Sequence, residues 1–342
     1  MPKHLTPKDK REALAEFEAL AYDLKRTDAA QHVAGKYNVS IASVLNWSKR
    51  AGKEAKVEPV EIYRPFNLAT TEKAVALTAE TTVEAFISDV HWHPEASHGH
   101  DPAAWAITAN ALKMIQPDIV FMGGDIVDCY APSRYEKIPR LATPEAFNGE
   151  IHYAKERVQE LRDLVPNARI IWLTGNHELR LPRSIASNAP WLYENFKNIE
   201  SMLELDRYDI DLVEDGYRIG KLAHFHGHEN AGAGRVNIAK AKFERLLCNA
   251  IFGHHHRFSK WIQRNAEGGY WGAFGNGCLQ WLSVDFAKNT EWHQGFSVVT
   301  YAKSGNFHVD QVLITKPSIF SPKAELIYNG QHLRVDMERS ES

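Results

Sequence analysis

The chain has 342 residues, 44% of them apolar and 24% charged, with a net charge of −3. That balance excludes disordered and fibrous classes, and the length suits a catalytic body with a smaller appendage. Three widely spaced cysteines, Cys129, Cys248 and Cys278, read as reduced thiols rather than a disulfide framework or a zinc–thiolate site.

The start lacks a secretory signal pattern and no run approaches the roughly 20 apolar residues of a membrane span, so a cytoplasmic protein without a membrane partner is expected. Charge is uneven. Residues 1–56 carry 11 Lys/Arg against 7 Asp/Glu, a surplus of +4, which leaves about −7 for the remainder. Different partners are expected for the two parts.

In chain order, Thr6 with Pro7 and an early acid starts a helix that runs to about Arg26. Thr27-Asp28 caps a second, with Ala30, Val33, Ala34 and Tyr37 on one face. After the break Asn38-Val39-Ser40, Ser40 caps a third helix from Ile41 to about Arg50, with Ile41, Val44 and Trp47 facing inward and Gly52 ending it. This spacing resembles a helix-turn-helix module, which sets residues 1–54 apart as a small three-helix, DNA-binding domain. The resemblance implies that the third helix enters the major groove, with Ser40, Ala42, Ser43 and Asn46 facing bases and Lys49 and Arg50 contacting phosphate. The alternative is a packing or homo-oligomerisation element.

Residues 55–80, with Pro59 and Pro65 and no sustained period, read as a linker. A catalytic domain follows over 81–316. Strands are expected at 83–88, 118–122, 168–173, 209–213, 221–226 and 249–252, with helices near 102–116, 144–165, 189–204 and 234–247. Short strands then dominate at 257–263, 269–274, 296–302 and 306–314. The architecture is α/β with a mostly β second half. Residues 317–342 read as a peripheral tail.

Five polar clusters, each behind an apolar run, carry the chemistry: Asp89-Val90-His91, Gly124-Asp125-Ile126-Val127-Asp128, Gly175-Asn176-His177-Glu178, His226-Gly227-His228 and Gly253-His254-His255-His256. Asp89 and His91, two residues apart, leave a strand on one side and can share a cation. Gly123-Gly124 allow a sharp turn that puts Asp125 at a strand tip, where its two oxygens suffice to bridge two cations. Asn176 offers a neutral oxygen and His177 a proton donor. His224 and His226 share a strand face, and the residues alone leave open which one is the ligand. His254 and His256, at i and i+2, can reach different metals. Carboxylates, imidazoles and an amide delivered from strand ends suit a pair of divalent cations acting on a phosphate ester.

In this order the clusters resemble the calcineurin-like metallophosphoesterases, whose members include protein phosphatases, cyclic-nucleotide phosphodiesterases and nucleases. The resemblance covers roughly residues 83–280. It implies a four-layer αββα sandwich with the clusters on loops at the strand carboxyl ends. By motif position it assigns Asp89, His91, Asp125 and His256 to a first metal, and Asp125, Asn176, His226 and His254 to a second. His177 then matches the general acid and Asp128 the carboxylate that orients it, keeping it cationic. The implied reaction is in-line attack by a hydroxide bridging two cations about 3.5–4 Å apart. Thiolate-free ligation suits Mn²⁺, with Fe²⁺, Zn²⁺ or Ni²⁺ as alternatives.

Around this centre Arg134, Arg180 and Arg257 are candidates to hold a substrate phosphate. Histidines 93, 98, 100, 224, 228 and 255 read as supporting or surface groups. Aromatic residues in 270–274 and 279–281 alternate as strand residues do, and Gly275-Asn276-Gly277-Cys278 reads as support for the site. A helix-turn-helix ahead of this body resembles phage and prophage proteins, which favours nucleic acid, DNA above all, as partner. The expectation is a nuclease. A phosphomonoesterase or small-nucleotide phosphatase is the alternative within the same chemistry, and a DNA-binding regulator with a vestigial catalytic domain is the alternative outside it.

Overall fold

The computed structural model describes residues 12–13, 16–17, 26–45, 77–95, 99–214, 216–229, 237–264, 266, 268–284 and 290–338. The chain divides into two units, Met1–Pro65 and Phe66–Ser342, so the division falls within the segment read as a linker.

In the first unit residues 12–13 and 16–17 are helical, α1 runs Arg26–Tyr37, and residues 41–45 are helical again. Ala30, Val33, Ala34 and Tyr37 recur at three- and four-residue intervals, so α1 presents one apolar face to Ala13, Phe17 and Val44. Ser40 caps the segment after it, its Oγ accepting from Ser43 N at 3.0 Å. Ile41 departs from the expected inward position. It is 43% exposed, lying in the first turn outside the cluster that buries Val44. Asn46, Trp47, Lys49 and Arg50 lie outside the described residues.

The second unit is built on two sheets. Among the described residues the larger has eight strands in the order β13-β12-β11-β10-β1-β2-β3-β4. In chain order these are β1 (Thr81–Ile87), β2 (Ile119–Met122), β3 (Arg169–Leu173), β4 (Ile210–Val213), β10 (Gly295–Ala302), β11 (Phe307–Thr315), β12 (Lys323–Tyr328) and β13 (Gln331–Asp336). The smaller has the order β5-β6-β7-β9-β8, from β5 (Tyr217–Ile219), β6 (Leu222–Phe225), β7 (Ala250–Phe252), β8 (Ser259–Arg264) and β9 (Tyr270–Gly275). Strands β1 to β4 run parallel, as do β6, β7 and β9, and this aligns the carboxyl ends on which the polar clusters sit.

Side-chain alternation along the strands separates three apolar layers. Ala85, Ile87, Val120, Met122, Ile170 and Trp172 face helices α2 (Pro102–Ile115) and α3 (Pro144–Leu164). Their neighbours Phe86, Phe121 and Ile171 point the other way, onto Leu222, Ile251 and Phe274 of the smaller sheet. On that sheet's far face Ala223, Phe225, Phe252 and Ala273 pack on an additional helix, Ile238–Leu246. The order is helix, sheet, sheet, helix.

Two segments differ from expectation. In place of a helix over 189–204, α4 (Arg180–Asn188) starts directly after the third cluster, a 3₁₀ turn covers Pro190–Asn195, and α5 (Ile199–Leu203) follows; the helix Ile238–Leu246 is therefore α6. Pro190 lacks an amide hydrogen and forces Ala189 out of helical geometry, while Asn198 Oδ1 accepts from Ser201 N at 2.9 Å and starts a fresh helix. Residues 317–342, read as a peripheral tail, contain the β12–β13 hairpin that extends the large sheet. Ala324 and Leu326 alternate inward and are buried in the layer beneath α2, so polar composition concealed a half-buried strand.

Candidate metal centre

The five clusters converge at one edge because parallel strands deliver them there. Asp89 follows β1, Asp125 follows β2, Asn176 and His177 follow β3, His226 follows β6 and His254 follows β7. Five side chains of the clusters are aimed by a backbone that L-residues seldom adopt: φ is +55° at Asp89, +56° at His91, +54° at Asp125, +67° at His254 and +54° at His256. Such residues cost on the order of 1–3 kcal/mol each and persist where the surroundings hold them, commonly at functional sites. Glycine permits the close approach. A Cβ on Gly124 would stand 2.6 Å from His226 Nδ1, and one on Gly253 would stand 2.4 Å from Asp89 Oδ2.

Ligand-type atoms of Asp89, His91 and His256 lie within 4.8 Å of one another, as do those of Asp125, His226 and His254, with His91, Asp125 and His177 as a third, overlapping set. Asp125 and His91 link these sets. Asn176 joins the second, with Oδ1 3.2 Å from His226 Nε2. His226 Nδ1 donates to Gly123 O at 2.9 Å, which turns Nε2 onto Asp125 Oδ2 at 3.1 Å and the Asn176 oxygen. On the other side His91 Nε2 and His256 Nε2 face each other at 3.4 Å, and His256 Nε2 stands 3.2 Å from Asp89 Oδ1. Oxygens of Asp89, Asp125 and Asn176 converge on these ring nitrogens, so the arrangement demands protons or cations between them.

The protonation equilibria express the same demand. Burial lowers the His226 pKa, but Asp125 and then Asp89 outweigh it and raise it to about 10. For His256 burial is outweighed by Cys278 and Asp89, again to about 10. Burial pushes the Asp89 carboxyl up, yet His256 and His226 hold it at about 2. Asp125 lies well below the usual carboxylate range because His177 and His226 override its burial. His91 and His254 go the other way, to about 4 and about 2, through burial and the neighbouring His177 and His226 respectively. Protons on two imidazoles are the positive charge available without cations, and cation binding would release them. The donor set thus fits two divalent cations.

His177 lies beside this cluster. Its Nδ1 meets Asp128 O at 2.8 Å and Asp128 Oδ1 at 3.0 Å. Asp128 also contacts His91 Nδ1 at 3.1 Å, so one carboxylate orients both rings. Only half of the expected cationic arrangement is present, however: Arg180 Nη2 donates to His177 Nε2 at 2.7 Å, which makes that nitrogen an acceptor here. Arg180 Nη1 also donates to Asp128 O at 2.8 Å. Arg257 is paired with Glu291 at 2.8 Å, and Arg134 is exposed on the loop after Asp128.

The remaining histidines have separate settings. His224 is buried between the sheets against Glu84, His100 meets Tyr153 OH at 2.9 Å, and His93 accepts from Glu95 N at 3.1 Å. His228 and His255 stand half-buried beside His254, with ring centroids 6.1 and 5.1 Å away, and His98 lies outside the described residues. Asn276 ties Ser88 to Ser297 beneath the site, the supporting role expected for its segment.

Two residues at the centre had no assigned role. Glu178 is buried and accepts from the amides of Gly175, Asp125, Ile126 and Val127, stapling the second cluster to the third. Its position inside the third motif was the available signal, since an acid behind a strand tip can take the amides of a neighbouring loop. Trp292 stands edge-on to His256 at 4.4 Å, and nothing in its local pattern marked it.

This fold and donor set define a metal-dependent phosphate-ester hydrolase. The sequence profile of the calcineurin-like phosphoesterases matches residues 85–273, and the chain belongs to that family. No curated protein matches the sequence. Among solved structures, the Pseudomonas putida nuclease MPE is 14% identical over 65% of this chain and 84% of its own, with a TM-score of 0.31. Yfce, a phosphoesterase from E. coli, is 16% identical over 68% and 100%, with a TM-score of 0.30. A dimetal phosphatase from Danio rerio is 10% identical over 75% and 98%, with a TM-score of 0.31. Likeness at that level assigns no substrate. No helix among the described residues is long and apolar enough to cross a membrane.

Proposed function

We propose that the chain is a cytoplasmic phosphodiesterase acting on nucleic acid with two divalent cations as cofactor. Asp89, His91, Asp125 and His256 would hold one, and Asp125, Asn176, His226 and His254 the other. The observation that carries the metal centre is His226 Nε2, turned by the bond from Nδ1 to Gly123 O onto the oxygens of Asp125 and Asn176, where a cation would take the place of its proton. Nitrogen and oxygen donors without thiolate suit Mn²⁺. Cations bound there supply charge neutralisation at the phosphate and a nucleophile at neutral pH.

The chain's own groups do the rest. Water adds its oxygen to phosphorus and gives up a proton to solvent, the P–O bond breaks with its electron pair on the leaving oxygen, and that oxygen takes a proton from His177 Nε2, which solvent then restores. Asp128 holds His177 through Nδ1 and so aims that nitrogen. Arg180, which occupies Nε2 in the free site, turns to the phosphate oxygens and leaves Nε2 free to carry the proton. The first unit, with its surplus of basic residues and the exposed Ser40 start of its third helical segment, serves as a DNA-docking arm that concentrates the enzyme on its substrate.

The test is the Mn²⁺-loaded full chain on single- and double-stranded DNA, RNA, and chromogenic mono- and diesters. Nucleic acid and diesters are expected to turn over, and His177→Ala is expected to lower kcat by about 10²- to 10⁴-fold with metal content unchanged. Turnover of the monoester alone would overturn the nucleic-acid reading. Full activity in His177→Ala would overturn the assigned proton donor.

A further inference from the structure

We infer that Glu150 is a positioning residue for the proton donor, holding His177 from behind through a single peptide group, an inference that rests on the reading of His177 above. Glu150 sits on α3 in the row Glu150, Ala154, Val158 and Leu161, whose other members pack in the apolar layer. A buried acid in such a row is costly unless its oxygens find donors. Oε1 accepts from Cys129 N, and Oε2 accepts from Tyr130 N at 3.2 Å. Cys129 has φ +47°, and two successive amides about a left-handed residue form a concavity that takes a pair of acceptor oxygens.

The Cys129 amide is one half of a peptide group whose other half is the Asp128 carbonyl. A trans peptide is planar, so anchoring its N–H on Glu150 fixes the opposite direction for its C=O. That carbonyl receives His177 Nδ1 and Arg180 Nη1, each at 2.8 Å. Nδ1 is the ring nitrogen that faces away from the leaving group, so the contact sets where Nε2 points. The Asp128 carboxylate cannot do this separately, because its Oδ1 also meets His91 Nδ1 at 3.1 Å and thus serves the metal side as well. Two buried glutamates therefore brace one loop at different places. Glu178 takes the amides of Asp125, Ile126 and Val127 beneath the proposed cation ligand, and Glu150 takes the two that follow Asp128. A misaimed proton donor slows catalysis most where the leaving oxygen is most basic, since an oxygen that departs readily as an anion needs little help from an acid. A plain support for the loop would not sort substrates in that way.

The experiment uses the Mn²⁺-loaded full chain and three thymidine phosphodiesters whose leaving alcohol is p-nitrophenol, phenol or a second thymidine. Glu150→Gln turns an NH₂ group onto one of the two amides. It is expected to lower kcat by about tenfold to a hundredfold with the thymidine leaving group and by less than about threefold with p-nitrophenol, with both ions retained by elemental analysis. His177→Ala should show the same order of losses, each larger. The ratio between substrates does not depend on the folded fraction, and Glu150→Asp, which draws both oxygens back from the amides, serves the same comparison should Glu150→Gln not fold. An equal loss on all three esters in the glutamate variants, or a loss of metal, beside a graded loss in His177→Ala overturns the inference alone. An equal loss on all three in His177→Ala, or a parent that cleaves none of them, overturns the reading beneath it.

Discussion

His224 and His226 stand two residues apart at the end of β6, both buried and both beside carboxylates, yet they belong to opposite kinds of environment. His224 Nε2 lies 2.9 Å from Glu84 Oε1, and Tyr301 OH donates to Glu84 Oε2 at 2.6 Å. Donors meet acceptors there, between the sheets, and burial with Glu84 pushes the Tyr301 phenol well above its ordinary pKa. Beyond the strand end His226 Nε2 also meets two oxygens, but these come from two residues, Asp125 and Asn176, and ligand-type atoms of Asp125, His226 and His254 lie within 4.8 Å of one another. A ligand shell is marked by several donor residues gathered on one point, and the inter-sheet trio by one carboxylate shared between two donors.

The largest expected effect breaks the ligand-cluster side of this comparison. Asp125→Asn replaces the carboxylate that both proposed cation positions would share, and kcat/KM should fall by about 10³-fold or more, with fewer than two ions retained per chain by elemental analysis. Two ions retained with full activity would show that Asp125 is dispensable.

A smaller effect falls on the donor side. Glu84→Ala leaves the His224 and Tyr301 donors buried without their acceptor, a change expected to cost about 2–5 kcal/mol of folding stability by urea denaturation. The folded fraction should still bind its full complement of metal. Loss of metal with unchanged stability would reverse the roles assigned to the two histidines.

The smallest effect sharpens the contrast with a third buried imidazole. Burial, and then the charge of Arg157, hold His100 at about 3 against an ordinary 6.5. The folded chain stays neutral where the unfolded chain takes up a proton, so this contribution is fully favourable above about pH 6.5. It is lost as pH falls toward about 3, at up to about 1.4 kcal/mol per pH unit. Between pH 6.5 and 5 the parent should lose about 2 kcal/mol more stability than His100→Gln. Parallel losses in the two proteins would mean that His100 titrates normally.

Much of the fold was legible because its signals are local. Apolar runs such as Ile119–Met122 and Arg169–Leu173 announce strands, and the glycine after each announces a turn that lifts the next polar residue to the strand tip. The alternation of strand and helix gave an α/β body with a mostly β second half, and the layer order came from the family resemblance. What failed was also local in origin: Pro190 divides a segment whose composition suits one helix, and the alternation in Lys323–Tyr328 is too short and too polar to stand out from a tail.

The sequence by itself determined the kinds of donor, their order and their attachment to strand ends, since periodicity and turn chemistry act over a few residues. Only the tertiary structure decided which of His224 and His226 faces the cluster, that Glu178 staples two loops 50 residues apart, and that Arg180 sits on His177. Those outcomes depend on which atoms meet across the sheets and around the strand tips, and a hydrogen-bond partner brought in by folding leaves no trace in the spacing of residues along the chain.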